Sequence, residues 1–278
     1  MKTLMRYKII SGRVVEKRDV LVDVSLDPTQ TKTGEKRGSY RGKSGAAQIE
    51  RNCREAVKRL ARILNCNFGL GDLFLSLKYS DARLPTTREE ADWELTRMVR
   101  RLERRYYKAT GKKMKWVGVT ADTSSKTGLP VRLHHHMVVP VMELALIYQV
   151  WPSDQVTIRH LDGRGDYTGI ARYMLQNAGY RRKRRTWRSS NGLDKPIFTK
   201  PEPIRGGAGS FHVPKQALVM ERHIRQDGES GFSSAYIRYV VPDDTKNTRK
   251  RYAPSPEPGF SDTTRRARPR GSSMGNGG

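Results

Sequence analysis

The sequence predicts an α+β fold: an antiparallel sheet built in the order β-α-β-β-α-β with its helices on one face, the ferredoxin-like or RRM-like arrangement. Three observations lead there. Apolar or alternating runs at 74–80, 115–122, 131–139 and 155–161 read as strands. Segments 87–109 and 142–150 carry helical periodicity between them, and the turn formers TSSKTGLP separate the second strand from the third.

Each element has its own signal. Residues 1–25 contain a short strand or two, and the Gly-, Lys- and Thr-rich stretch TKTGEKRGSYRGKSG has too little to bury and should be flexible. From 46 to 66, Ile49, Cys53, Val57, Leu60 and Leu64 recur at helical spacing, with basic residues on the remaining faces. In 87–109, Trp93, Met98, Leu102 and Tyr106 are spaced for one face. A further helix spans Tyr167–Asn177, with Asp166 placed to cap it. Beyond 180, ALVMERH and SAYIRYVV read as two more strands, and a tail rich in Pro, Gly, Ser and Arg should be disordered. The organisation expected is a partly flexible basic leader over 1–45, a main domain over 46–240 with an extension from about 180, and a disordered basic tail over 241–278.

Charge narrows the function. The chain of 278 residues has 54 Lys and Arg against 28 Asp and Glu, a net charge of +26. Packing requires no such excess, and a polyanion is its natural counterpart. No segment approaches the roughly 20 apolar residues that span a bilayer, so nucleic acid is favoured over a membrane. The polar start MKTLMRYKII is no signal peptide, and a cytoplasmic protein is expected. Cys53 and Cys66, thirteen positions apart on one helix, suit neither a zinc pair nor a disulfide.

The chemistry centres on His134-His135-His136, three of the six histidines, inside an otherwise apolar strand. Alternation along a strand puts His134 and His136 on one face and His135 on the other. Two imidazoles at that separation can hold one divalent ion, and three buried histidines are costly unless used. A third ligand is then needed. Asp122, at the end of the strand paired with the histidine strand, is the candidate, although Asp also simply starts turns. Imidazoles alone suit zinc better than the oxygen-preferring Mg²⁺ or Mn²⁺ of phosphoryl chemistry. On the helix 167–177, Tyr167, Ile170, Tyr173, Met174 and Asn177 share a face, which turns Tyr173 towards the sheet. An inward tyrosine is ordinarily core, and a phenol with a pKa near 10 is a weak nucleophile unless a metal ion polarises its target.

Read together, the segments NFGLGD leading into FLSLKYSD, then HHHMVV, then IARYMLQ, and finally SSNGLDKP resemble the HUH endonucleases, specifically the rolling-circle replication initiators of small plasmids and phages. The likeness covers roughly residues 46–200. It implies an HUH-type fold, a divalent Mg²⁺ or Mn²⁺ on His134, His136 and Asp122, and Tyr173 as nucleophile towards single-stranded origin DNA. The products would be a 5′-phosphotyrosine and a 3′-hydroxyl primer, followed by religation, with the host replication machinery as partner. Two positions depart from the family pattern: Gln176 stands where a lysine is usual, and His135 where an apolar residue is usual. The basic segment Arg181, Arg182, Lys183, Arg184, Arg185, Trp187 and Arg188 follows the tyrosine helix and suits a DNA-backbone clamp with a stacking indole. A nonenzymatic RRM-like nucleic-acid-binding module is the main rival, and a relaxase or transposase of the same superfamily is the rival within the enzyme class.

Overall fold

The computed structural model describes residues 2–23, 45–179, 186–204, 207–225 and 234–242. The Lys- and Gly-rich stretch, the run Arg181 to Arg185 and the tail from 243 onward, all expected above as flexible or DNA-contacting, lie outside the described residues.

The elements are β1 (Lys2–Ser11), β2 (Val14–Asp23), α1 (Ala46–Asn67), β3 (Leu73–Leu77), α2 (Arg88–Thr110), β4 (Val117–Thr123), β5 (Pro130–Val139), α3 (Leu144–Tyr148), β6 (Val156–His160), α4 (Thr168–Ala178), β7 (Arg188–Ser189), β8 (Ile197–Phe198), β9 (Glu202–Pro203), β10 (Leu218–Arg225) and β11 (Ser234–Val240). They form an α+β structure with two antiparallel sheets. The central sheet runs β6-β3-β5-β4-β7. Its first four strands follow the β-α-β-β-α-β sequence expected, with each βαβ unit split by a strand of the other.

Local chemistry fixes the elements. Thr87 caps α2, its hydroxyl accepting from the Glu90 amide while the Glu90 carboxylate accepts from the Thr87 amide, a reciprocal box that starts the helix. Gly111, at φ +70°, ends it. In β3 the burial alternates, and in β5 the last five residues are all buried, the mark of a strand covered on both sides.

That double coverage corrects the expectation of helices on one face. Leu73, Leu75, Leu77, Met137 and Val139 pack with Leu95, Met98, Val99 and Leu102 of α2 and with Ile147 of α3. Val117, Val119 and Val138 pack instead with Leu60 and Leu64 of α1 and with Ala171, Met174 and Ala178 of α4. The βαββαβ helices do share a face, but α1 and α4 close the other, because alternate residues of β3, β4 and β5 are apolar on both sides. Trp93 is a second correction: it is 59% exposed, under the Arg97 guanidinium, and Leu95 and Val99 hold the inward face of α2 in its place.

The second sheet joins the two ends of the described chain. Its order is β10-β11-β2-β1-β8, with β9 also on β1, so that Val14 pairs with Val240. It docks on α1 and on the segment before α4 through charge. Arg62 of α1 donates twice to the buried Glu16 carboxylate, at 2.7 and 2.6 Å, and Arg238 of β11 binds Asp166 and Thr168. Gly12, at the hairpin tip, has φ +56°, and a Cβ there would meet the Asn65 carbonyl at 2.1 Å, so only glycine lets the hairpin seat against α1. Among the described residues, no helix is long and apolar enough to cross a membrane.

Candidate active site on the histidine strand

The β5 register sets the site. His136 stands opposite Ser76 of β3 and Val119 of β4, and His134 opposite Ala121, on the face covered by α1 and α4. His135 stands opposite Leu77 and Thr120, on the α2 face.

On the first face the two outer imidazoles converge, with their Nε2 atoms 3.1 Å apart. The Arg132 carbonyl can only accept, so His134 carries its proton on Nδ1 (2.9 Å) and its Nε2 is a bare lone pair. His136 then donates from Nε2 to His134, and its Nδ1 accepts from the Ser76 hydroxyl at 3.0 Å. The chain Ser76–His136–His134–Arg132 is complete with both rings neutral. Burial pushes His134 below its ordinary value and His136 down to about 3, with the neighbouring imidazole adding to the latter.

Only the shared proton stands between this pair and a metal ion. Two nitrogens each about 2.1 Å from one ion, at tetrahedral to right angles, lie about 3.0–3.4 Å apart, and the observed 3.1 Å falls in that range. The outer nitrogens of both rings are held by a carbonyl and a hydroxyl, the second-shell arrangement that orients imidazole ligands. The pair fits a divalent ion. Asp122 is in electrostatic reach of His134, but the Arg88 guanidinium holds its carboxylate at 2.8 Å. Among the described residues, no three His, Cys, Asp or Glu side chains gather into one metal-binding group.

Tyr173 arrives from α4. Its ring lies 4.9 Å from that of His136 and 6.1 Å, edge-on, from that of Phe74, which itself stacks on His136. The ring is half-buried, and desolvation raises the phenol above its ordinary value, partly opposed by the charge of Arg159. His136 is 2% exposed while His134 is the more open of the two, so the pair is reached from the His134 side. The Gln176 side chain is exposed on α4.

On the second face, His135 is fully buried in a closed relay. The Tyr79 hydroxyl donates to its Nε2 at 2.6 Å, its Nδ1 donates to Thr120 Oγ1 at 3.1 Å, and Thr120 donates onward to Asp92. Its neutrality is enforced by burial, which drives the imidazolium down to about 3.

The rest of the expected DNA clamp is engaged within the protein. Trp187 packs against the α1–α4 cluster, and Arg188 binds Asp92 and Thr96 of α2. Sequence reasoning missed Ser76, Phe74 and Arg159. The signal was present: Phe74 and Ser76 alternate with the buried leucines of β3, so they had to face the same side as His136. Compared with protein-family models, curated proteins and solved structures, the chain matches none.

Proposed function

We propose that this protein nicks single-stranded DNA by transesterification, in the manner of an HUH-type rolling-circle replication initiator, acting in the cytoplasm with Tyr173 as nucleophile and His134 and His136 as metal ligands. The observation that carries this reading is the meeting of three groups on one face: two neutral imidazoles with converging Nε2 atoms, and a phenol ring packed on the second of them. A divalent ion such as Mg²⁺ or Mn²⁺, held by the two Nε2 atoms, would polarise a phosphate oxygen. Asp122 joins as a third ligand only after parting from Arg88.

The residues divide the work. Arg132 and Ser76 fix the ring orientations, so both Nε2 atoms point to one place; for both to ligate, the His136 proton shifts from Nε2 to Nδ1, which then donates to the Ser76 hydroxyl. Phe74 and His136 hold the Tyr173 ring and limit its rotation, an entropic advantage for an in-line attack. The phenol oxygen bonds to phosphorus, the bond from phosphorus to the 3′ oxygen breaks, and the phenol proton ends on that oxygen. The result is a 5′-phosphotyrosine and a 3′-hydroxyl able to prime synthesis by the host replication machinery. Attack of a 3′-hydroxyl on the phosphotyrosine reverses the step and rejoins DNA.

An RRM-like binding module is less well supported. Such a module stacks bases on an open sheet face, and here both faces of the central sheet carry helices. The test is covalent capture. The full chain is incubated with single-stranded DNA pools containing candidate origins and with Mg²⁺ or Mn²⁺. A denaturation-resistant protein–DNA adduct that Tyr173→Phe fails to form is expected. Binding without an adduct under every divalent ion returns the protein to the nonenzymatic class.

A further inference from the structure

The face that carries the two imidazoles and the phenol brings no positive charge of its own, because both rings are neutral. A phosphodiester carries a full negative charge, and phosphoryl transfer spreads it over the nonbridging oxygens. Something on this face has to meet it.

The register of the sheet points to the group. β6 is the edge strand, paired with β3, and Arg159 stands directly opposite Phe74, with Thr157 opposite Ser76. Directly paired residues share a face, so Arg159 lies on the side of Phe74, Ser76 and His136, away from the leucines that face α2. Phe74 is the residue whose ring edge meets Tyr173. Arg159 is exposed on the strand edge, where a chain of DNA can reach it. A second cation completes the row. Lys78 follows β3 on the side of Ser76, one position beyond the Leu77–His135 pair, and is exposed. The two cations therefore bracket the histidine pair and the tyrosine.

We propose that Arg159 is a phosphate-binding residue of this site, its guanidinium taking nonbridging oxygens of the DNA phosphate beside Tyr173, with Lys78 taking the adjoining phosphate on the His134 side. The planar fork of arginine matches two phosphate oxygens at once, which a lysine ammonium does not. The role rests on the nicking reading for its chemistry, but the contact with a DNA backbone can be measured without any cleavage.

The experiment uses the full chain, a fluorescently labelled oligo-dT and no metal, with binding followed across a salt series. Each phosphate contact contributes about 0.7 to the slope of log K against log salt for single strands. Arg159→Gln is expected to reduce the slope by about 0.7, Arg159→Lys to keep it, and Lys78→Gln to reduce it by a similar amount. Arg104→Gln serves as the control for bulk charge, because Arg104 lies on α2, on the opposite face of the sheet, and is exposed. Adduct formation at saturating DNA gives the second readout, where Arg159→Gln is expected to be slower by about tenfold to a hundredfold and Arg159→Lys to recover only part of that loss. An unchanged slope in Arg159→Gln, or an equal loss in Arg104→Gln, overturns the proposal whether or not the protein cuts. An altered slope without any adduct from the wild-type chain keeps the Arg159 contact and removes the nicking reading.

Discussion

Three identical side chains, His134, His135 and His136, stand in a row on β5, yet the two faces of the strand put them to opposite uses. On the α2 face His135 has both nitrogens satisfied by Tyr79 and Thr120, is fully buried, and ends in a relay to Asp92. On the α4 face His134 and His136 satisfy their outer nitrogens and turn the inner ones towards each other. The difference teaches that the partner of the far nitrogen decides an imidazole's role. Where protein groups occupy both nitrogens, the ring is structure. Where one nitrogen is left to share, the ring is a ligand in waiting.

The comparison breaks most sharply at the shared pair. Replacing His134 and His136 together with Ala should lower adduct formation by roughly a thousandfold or more, since metal polarisation supplies several kcal/mol to the transition state. Denaturant unfolding should also register the loss of the His136 ring, which is 2% exposed and stacked on Phe74, so adduct formation is compared per folded molecule. A double variant that still forms adduct at the wild-type rate ends the metal assignment.

His135→Ala tests the other face and should do the reverse. Removing a fully buried ring leaves a cavity and strands the Tyr79 and Thr120 hydroxyls, a cost of about 4 kcal/mol in urea unfolding. His135→Phe restores the volume and not the hydrogen bonds, and about 2 kcal/mol of the loss should remain. Adduct formation per folded molecule should stay near wild type in the Phe variant. If His135→Phe instead abolishes cleavage while the fold is stable, the two faces are not separable.

Acid should act on both faces at once. The folded values of His135 and His136 are depressed to about 3 from an ordinary value of 6.5. The unfolded chain therefore binds protons first as pH falls, and stability drains from about 6.5 down to about 3. Unfolding midpoints measured across that window should decline with pH, and less steeply in His135→Phe. An identical slope for the variant would mean that the titration lies elsewhere.

Much of this was legible in the sequence, for physical reasons that can be named. The alternation of LHHHMVV separated His135 from its neighbours, and the helical spacing after Asp166 turned Tyr173 inward. These are local periodicities, set by the pleat and by the helical turn. What the sequence hid is non-local. Nothing near Asp122 shows that Arg88, at the start of another element, takes its carboxylate. Nothing near Trp187 shows that its indole fills a gap beside α1 and α4 rather than waiting for a base. The pairing of β2 with β11, and so the second sheet, depends on residues at the two ends of the described chain. The coverage of both sheet faces was readable in principle, because Phe74 and Val138 are apolar on the side opposite the leucines.

That last pairing has a consequence for how the molecule is made. Glu16 faces Arg62, but its strand is flanked by β11, which the ribosome synthesises roughly 10–40 seconds later at about 5–20 residues per second. Until Val240 arrives opposite Val14, the amino-terminal hairpin offers an open edge to any neighbouring strand. A nascent chain stalled before residue 234 would have its histidine strand complete and its second sheet unfinished, ready to pair with the wrong molecule.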